Sequence, residues 1–105
     1  MSIFLDVMKE ELERNLYKQG AFKKQFESLP KGYLSECVID GNKYIYRKRR
    51  EGSRIVSEYI GILNDDNVKQ AIEDRKQYLE LKQSIKRLKE EEKRLRKAIK
   101  DYEKL

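Results

Sequence analysis

Histidine and tryptophan are missing from this chain, and cysteine and proline occur once each. Each absence excludes a class of chemistry. Without histidine the commonest general base and the commonest metal ligand are gone. The lone Cys37 allows no internal disulfide, and with no histidine to join it no zinc site of ordinary type can be assembled within one chain. Cys37 has no base to activate it and sits in a strand-like pattern, so it reads as a packed apolar residue. The five glycines serve turns and form no phosphate-cradling loop. Asp65-Asp66 could hold Mg²⁺, yet two adjacent acids at a helix start are more simply a cap. The expectation is a protein that is not an enzyme, with no cofactor, no metal and no small-molecule substrate.

Long hydrophobic runs are also absent. No stretch approaches the roughly 18 apolar residues of a membrane span. The N-terminal residues lack a basic region and a sustained apolar run, so no signal peptide is expected. A single cysteine fits a reducing compartment. These features together imply a soluble cytoplasmic protein with no membrane partner.

What is abundant is charge. Of 105 residues, 42% are charged and 38% apolar, and 25 basic residues against 19 acidic ones leave a net charge of +6. The excess of positive charge favours anionic partners, nucleic acid or a nucleoprotein surface. A chain this short has room for one domain, 1–105, with a small core that an oligomer or a partner often completes.

The periodicity divides the chain into three segments. Over residues 2–28, Leu5, Met8, Leu12, Leu16, Phe22 and Phe26 recur at helical spacing behind Ser2 as a cap, which predicts an amphipathic helix. Gly20 weakens or bends it, and Leu29-Pro30-Lys31-Gly32 ends it. Over residues 33–61 the period falls to two, with a strong turn at Gly41-Asn42 and a second at Glu51-Gly52-Ser53. A Gly41-Asn42 loop would pair Ile39 with Tyr44 and Val38 with Ile45, while the second loop holds two or three residues. From residue 65 to 105 one long helix follows, capped by Asn64 or Asp65. Its heptads place Tyr78, Ile85, Glu92 and Ile99 at position a, and Leu81, Leu88, Leu95 and Tyr102 at d. Glu90–Arg94 and Glu92–Arg96 add i,i+4 support. The fold class is α+β: an N-terminal amphipathic helix, a three-stranded antiparallel β-meander and a long coiled-coil-like C-terminal helix.

Two surfaces could bind. The first is the cluster Arg47, Lys48, Arg49, Arg50 and Arg54, beside Tyr44 and Tyr46. Arginines serve phosphate and guanine contacts, and tyrosines stack on unpaired bases, although tyrosines also pack ordinary small cores. The second is the seam Leu81, Ile85, Leu88, Leu95 and Ile99. At 1.5 Å per residue the last helix is roughly 60 Å long and the first roughly 40 Å, so their pairing would leave seam uncovered, as in a homodimer or with a partner helix. Glu92 in that seam would lower stability and select a register. The basic stretch Lys86–Lys100 is interleaved with Glu90, Glu91 and Glu92, the pattern of a solvated face.

The segments Leu29-Pro-Lys-Gly-Tyr-Leu, Gly41-Asn-Lys-Tyr-Ile-Tyr, Arg50-Glu-Gly and Ser57-Glu-Tyr-Ile-Gly61 resemble a family of short proteins from Firmicutes and their mobile elements. The likeness covers roughly residues 29 to 100 and implies a Tyr-rich meander followed by a Lys/Glu-rich helix. It brings no catalytic residues. In size and charge the chain is also similar to small phage- or metagenome-derived anti-CRISPR inhibitors, which bind a Cas9-type nuclease or its guide complex. That resemblance implies contact with a nucleoprotein. A basic chain is a poor mimic of DNA, so it would not simply fill an empty DNA channel. The competing reading is a self-associating adaptor, or a general DNA-binding module.

Overall fold

The computed structural model describes residues 2–105. Its elements run α1 (Ile3–Ser28), β1 (Tyr33–Ile39), β2 (Asn42–Glu51), β3 (Arg54–Ile62) and α2 (Asp66–Glu103), an α+β architecture in the expected order. Two compact units divide these elements: α1 with Glu80–Leu105, and Leu29–Leu79 with all three strands. The single helix α2 therefore contributes its first turns to one unit and the remainder to the other.

In the helical unit α1 and α2 run antiparallel. Ser2 Oγ donates to the Tyr102 hydroxyl at 2.7 Å, and Asn15 Nδ2 donates to the Leu88 carbonyl at 2.8 Å. Ser2 also caps α1, with its hydroxyl accepting from Leu5 N and its carbonyl from Asp6 N. Such a cap contributes about 1 kcal/mol. Leu5, Met8, Leu12, Asn15, Gln19, Phe22 and Phe26, separated alternately by three and four residues, form the inward line of α1, with Glu11 and Ala21 half-buried beside it. On α2 the corresponding set is Leu81, Ile85, Leu88, Glu92, Leu95, Ile99 and Tyr102, the expected heptad positions. One expectation fails here. Leu16 is 40% exposed, and Asn15 takes the inward position at 2% exposure. The reason is geometric: Asn15 continues the alternating three-four spacing, while Leu16 falls one position to its side. Gly20 leaves α1 unbroken.

The sheet has the order β1-β2-β3, both pairs antiparallel. Ile39 pairs with Asn42, Cys37 with Tyr44 and Glu36 with Ile45, so the first hairpin turns on Asp40-Gly41 and not on Gly41-Asn42. Asp40 and Gly41 have φ of 50° and 79°. A two-residue hairpin loop of this hand requires positive φ at both positions, and Asp-Gly meets that better than Gly-Asn. Every partner moves by two residues, which preserves the side-chain faces. The second loop is the two-residue Gly52-Ser53, since Glu51 pairs with Arg54. Ile60 is an extra residue on β3, between the pairs Tyr46–Tyr59 and Ile45–Gly61. This bulge brings Gly61 against α2.

The start of α2 packs on one face of the sheet. Val68 is fully buried, and Ala71 and Ile45 nearly so. Burying a valine stabilises by roughly 1.5–3 kcal/mol. A Cβ added at Gly61 would stand 3.3 Å from Val68 Cγ2 and 2.9 Å from Asp65 Oδ2, so only glycine admits the helix this closely. Asp65 bridges the junction: its carboxylate accepts from Ile62 N at 3.1 Å, and its carbonyl accepts from Lys69 N at 3.0 Å. Here, then, is a use for the length by which α2 exceeds α1. The expectation of uncovered seam is corrected: the excess turns carry Val68 and Ala71 into the core of the sheet unit. Gly32, with φ of 108°, sits against the Lys48 backbone, and its carbonyl accepts from the Arg75 guanidinium. That guanidinium also lies 5.1 Å over the Tyr78 ring.

Candidate nucleic-acid interface

Alternation along β2 sends the basic cluster to two different faces. Ile45, Arg47 and Arg49 point to the helix-covered side, while Tyr44, Tyr46, Lys48 and Arg50 point to the other. Cross-strand partners share a face, so Glu58 and Val56 lie with Arg47 and Arg49, whereas Tyr59 and Ser57 lie with Tyr46 and Lys48.

On the covered face the arginines meet acids. The Arg47 side chain is only 15% exposed and stands 3.9 Å from Glu58, and Arg49 binds Glu51 at 2.9 Å. Arg47 and Glu58 also line a depression of about 280 Å³ closed by Asn67, Gln70, Ala71 and Asp74 of α2. A half-buried guanidinium held in this way packs and neutralises; it is poorly presented to a polyanion.

The other face has no helix of this unit upon it. Cys37, Tyr44 and Ile62 form one cross-strand row, Ser35, Tyr46 and Tyr59 the next, then Tyr33, Lys48 and Ser57. The Tyr59 ring lies 5.4 Å from that of Tyr46 and 6.4 Å from that of Tyr44, tilted at 59° and 45°. These are tilted aromatic pairs within the favourable range of centroid separation. Tyr59 is 53% exposed and Tyr33 49%. Among the described residues Lys48 and Arg50 of this face have no carboxylate within ion-pair distance, nor has Arg54, which is the cross-strand partner of Glu51 at the turn and so falls on the face of Arg47 and Arg49. Cys37 is exposed here too, not packed as expected. An exposed thiol follows from its place on an edge strand of the uncovered face.

The seam residues lie in the helical unit. Leu81 is buried, and Ile85, Leu88, Leu95 and Ile99 are half-buried on the side of α2 that meets α1. Sequence reasoning missed the polar layer among them. Gln19 Nε2 donates to Asn15 Oδ1 at 2.6 Å and to Glu92 Oε1 at 2.8 Å, and Arg96 binds Glu92 Oε2 at 2.7 Å. The hydrogen bond from Gln19, and after it that from Arg96, hold the Glu92 carboxyl below the ordinary glutamate value of 4.5. The polar letters of Asn15 and Gln19 at seam spacing on α1 were the available signal. The expected Glu90–Arg94 pair does not form among the described residues, while Glu92–Arg96 does.

Among the described residues no group of three or more His, Cys, Asp or Glu is placed to share a metal ion, and no helix is long and apolar enough to cross a membrane. No family model, curated protein or solved structure matches this chain.

Proposed function

We propose that this chain is a non-catalytic binding protein that engages nucleic acid or a nucleoprotein through the uncovered sheet face and the adjoining β2–β3 turn. The observation that carries this reading is the division of the basic cluster. Arg47 and Arg49 are matched with Glu58 and Glu51, whereas among the described residues Lys48, Arg50 and Arg54 have no carboxylate within ion-pair distance. Uncompensated cations beside exposed tyrosines suit a ligand that is both anionic and aromatic.

The test is a salt-dependent binding isotherm with labelled oligonucleotides. Replacing Lys48, Arg50 and Arg54 by Glu is expected to abolish binding. Replacing Lys48 alone by Ala lowers the slope of log K against log salt by roughly 0.7–0.9, the signature of one lost phosphate contact. Substitution of the matched Arg49 changes binding least. If the triple reversal binds as the natural chain does, the reading fails.

The narrower form of the proposal is an inhibitor that acts on a Cas9-type nuclease or its guide complex in a bacterial cytoplasm. Its support is the small size and basic charge that the chain shares with such inhibitors. Co-purification of the tagged chain with a purified Cas9-type effector, loaded and unloaded with guide RNA, tests it. Capture of neither form removes it.

A self-associating adaptor working through Leu81, Ile85, Leu88, Leu95 and Ile99 has less support, because α1 already meets that side of α2. It predicts that Leu88→Lys abolishes partner binding while the charge reversals do not. The proposal above predicts the reverse.

A further inference from the structure

The uncovered face carries four of the seven tyrosines, Tyr33, Tyr44, Tyr46 and Tyr59. Two of them lie on the central strand in line with the free cations. Along β2 the order on this face is Tyr44, Tyr46, Lys48, Arg50, one side chain every two residues, or about 7 Å. We infer, resting on the nucleic-acid reading above, that this face takes a single strand, with unpaired bases stacked on Tyr46 and Tyr59 and phosphates held by Lys48 and Arg50.

Three features select a single strand over a duplex. Tyr33 and Tyr59 are both about half exposed on this face. Tyr59 is more than half exposed and leans on Tyr46 and Tyr44, so an incoming base meets rings already ordered by their neighbours. In a duplex the base faces are stacked on one another and only their edges reach the grooves, which leaves a tyrosine ring nothing to stack upon. The major groove, moreover, admits a two-stranded ribbon, while this platform is three strands wide. Unpaired bases have a free π-face whatever their identity, so the site is tolerant of sequence. Finally, the cations lie beyond the rings along one strand and do not surround them. A lysine one step past the ring, on its flexible four-carbon stem, reaches the phosphate of a base stacked on that ring.

The test compares fluorescein-labelled oligothymidine and oligouridine of about 16 nucleotides with a duplex of the same length, using the full chain. The natural chain is expected to bind at least one single strand more tightly than the duplex, with quenching of tyrosine fluorescence undisturbed by tryptophan, of which the chain has none. Tyr59→Ala weakens that binding about 5- to 150-fold, as loss of one stacked base does. Tyr59→Phe, which keeps the ring, restores it. Because Tyr59 is exposed, both variants keep the fold, which circular dichroism verifies. Tighter binding of oligouridine assigns RNA and of oligothymidine assigns DNA; both support the inference if Tyr59→Ala weakens the tighter one. Equal or tighter duplex binding that is still abolished by Lys48→Glu with Arg50→Glu overturns the stacked single strand and leaves the nucleic-acid reading standing. Binding of no oligonucleotide overturns the inference and, for free nucleic acid, that reading as well.

Discussion

The helical unit and the sheet unit place their partnered polar residues differently. In the helical unit the polar residues at seam positions find partners inside: Asn15 is buried, and Gln19 connects it to Glu92. In the sheet unit the partnered charges lie on the covered face, and aromatic and apolar side chains are left outside, among them Tyr33, Ile39, Ile55 and Tyr59. Burying an amide costs little when each of its groups is hydrogen-bonded, so a satisfied polar layer can sit in a seam. Exposing a cluster of tyrosines gains nothing for folding, which supports the proposal that this face takes a ligand. Both units leave apolar surface outside, α1 at Ile3, Phe4 and Tyr17; what sets the sheet unit apart is that its exposed tyrosines lie beside unpaired cations.

The contrast can be broken most severely at Gly32. A methyl group there collides with the Lys48 carbonyl, and φ of 108° is strained for any side chain. Gly32→Ala is expected to cost about 3 kcal/mol or more, since strain and a backbone clash add. Urea unfolding should show the sheet signal lost at much lower denaturant. A midpoint close to that of the natural chain would mean that the approach of Gly32 to β2 is not required.

A smaller effect is expected from filling the polar layer with hydrocarbon. Asn15→Leu makes the seam continuously apolar, and a single polar residue in such a seam typically trades stability for a defined pairing. The variant should unfold at higher denaturant, by about 1 kcal/mol, and its sedimentation profile should shift towards larger species. A stabilised variant that sediments unchanged would show that Asn15 does not restrict pairing.

The smallest effect belongs to Glu92, and its sign follows from its depressed titration. A carboxyl held lower in the folded chain than in the unfolded one adds stability above the ordinary glutamate value of 4.5, and that addition disappears as pH falls through the folded value. The difference in urea midpoint between the natural chain and Glu92→Gln should therefore shrink on acidification from neutral pH through the carboxylate range. A difference that stays constant would mean that Gln19 and Arg96 do not favour the ionised form.

Legibility differed from place to place along the chain. The heptad from Tyr78 to Tyr102 was plain, because apolar or aromatic residues hold every a and d position except that of Glu92. The inward line of α1 was not, because Asn15 and Gln19 are polar and Leu16 offered an apolar decoy one position away. The first hairpin was visible as a turn, but Asp40-Gly41 and Gly41-Asn42 are both credible loops on composition, and only the backbone φ values separate them. Within the candidate site, period two implied that Arg47 and Lys48 point apart. Which of the two faces α2 would cover was not implied.

By itself the sequence determined the kinds of elements, their order and their approximate ends, because these depend on periodicity, caps and turn residues within a few positions of one another. It also determined the excess of positive charge, 25 basic residues against 19 acidic ones, and its concentration at the second hairpin. Only the tertiary structure decided which side of the sheet α2 covers, and hence that Arg47 and Arg49 are paired with acids while Lys48 and Arg50 lie beside exposed Tyr33 and Tyr59. That choice rests on Val68 meeting Gly61 at a β-bulge, a contact between residues that no local rule connects.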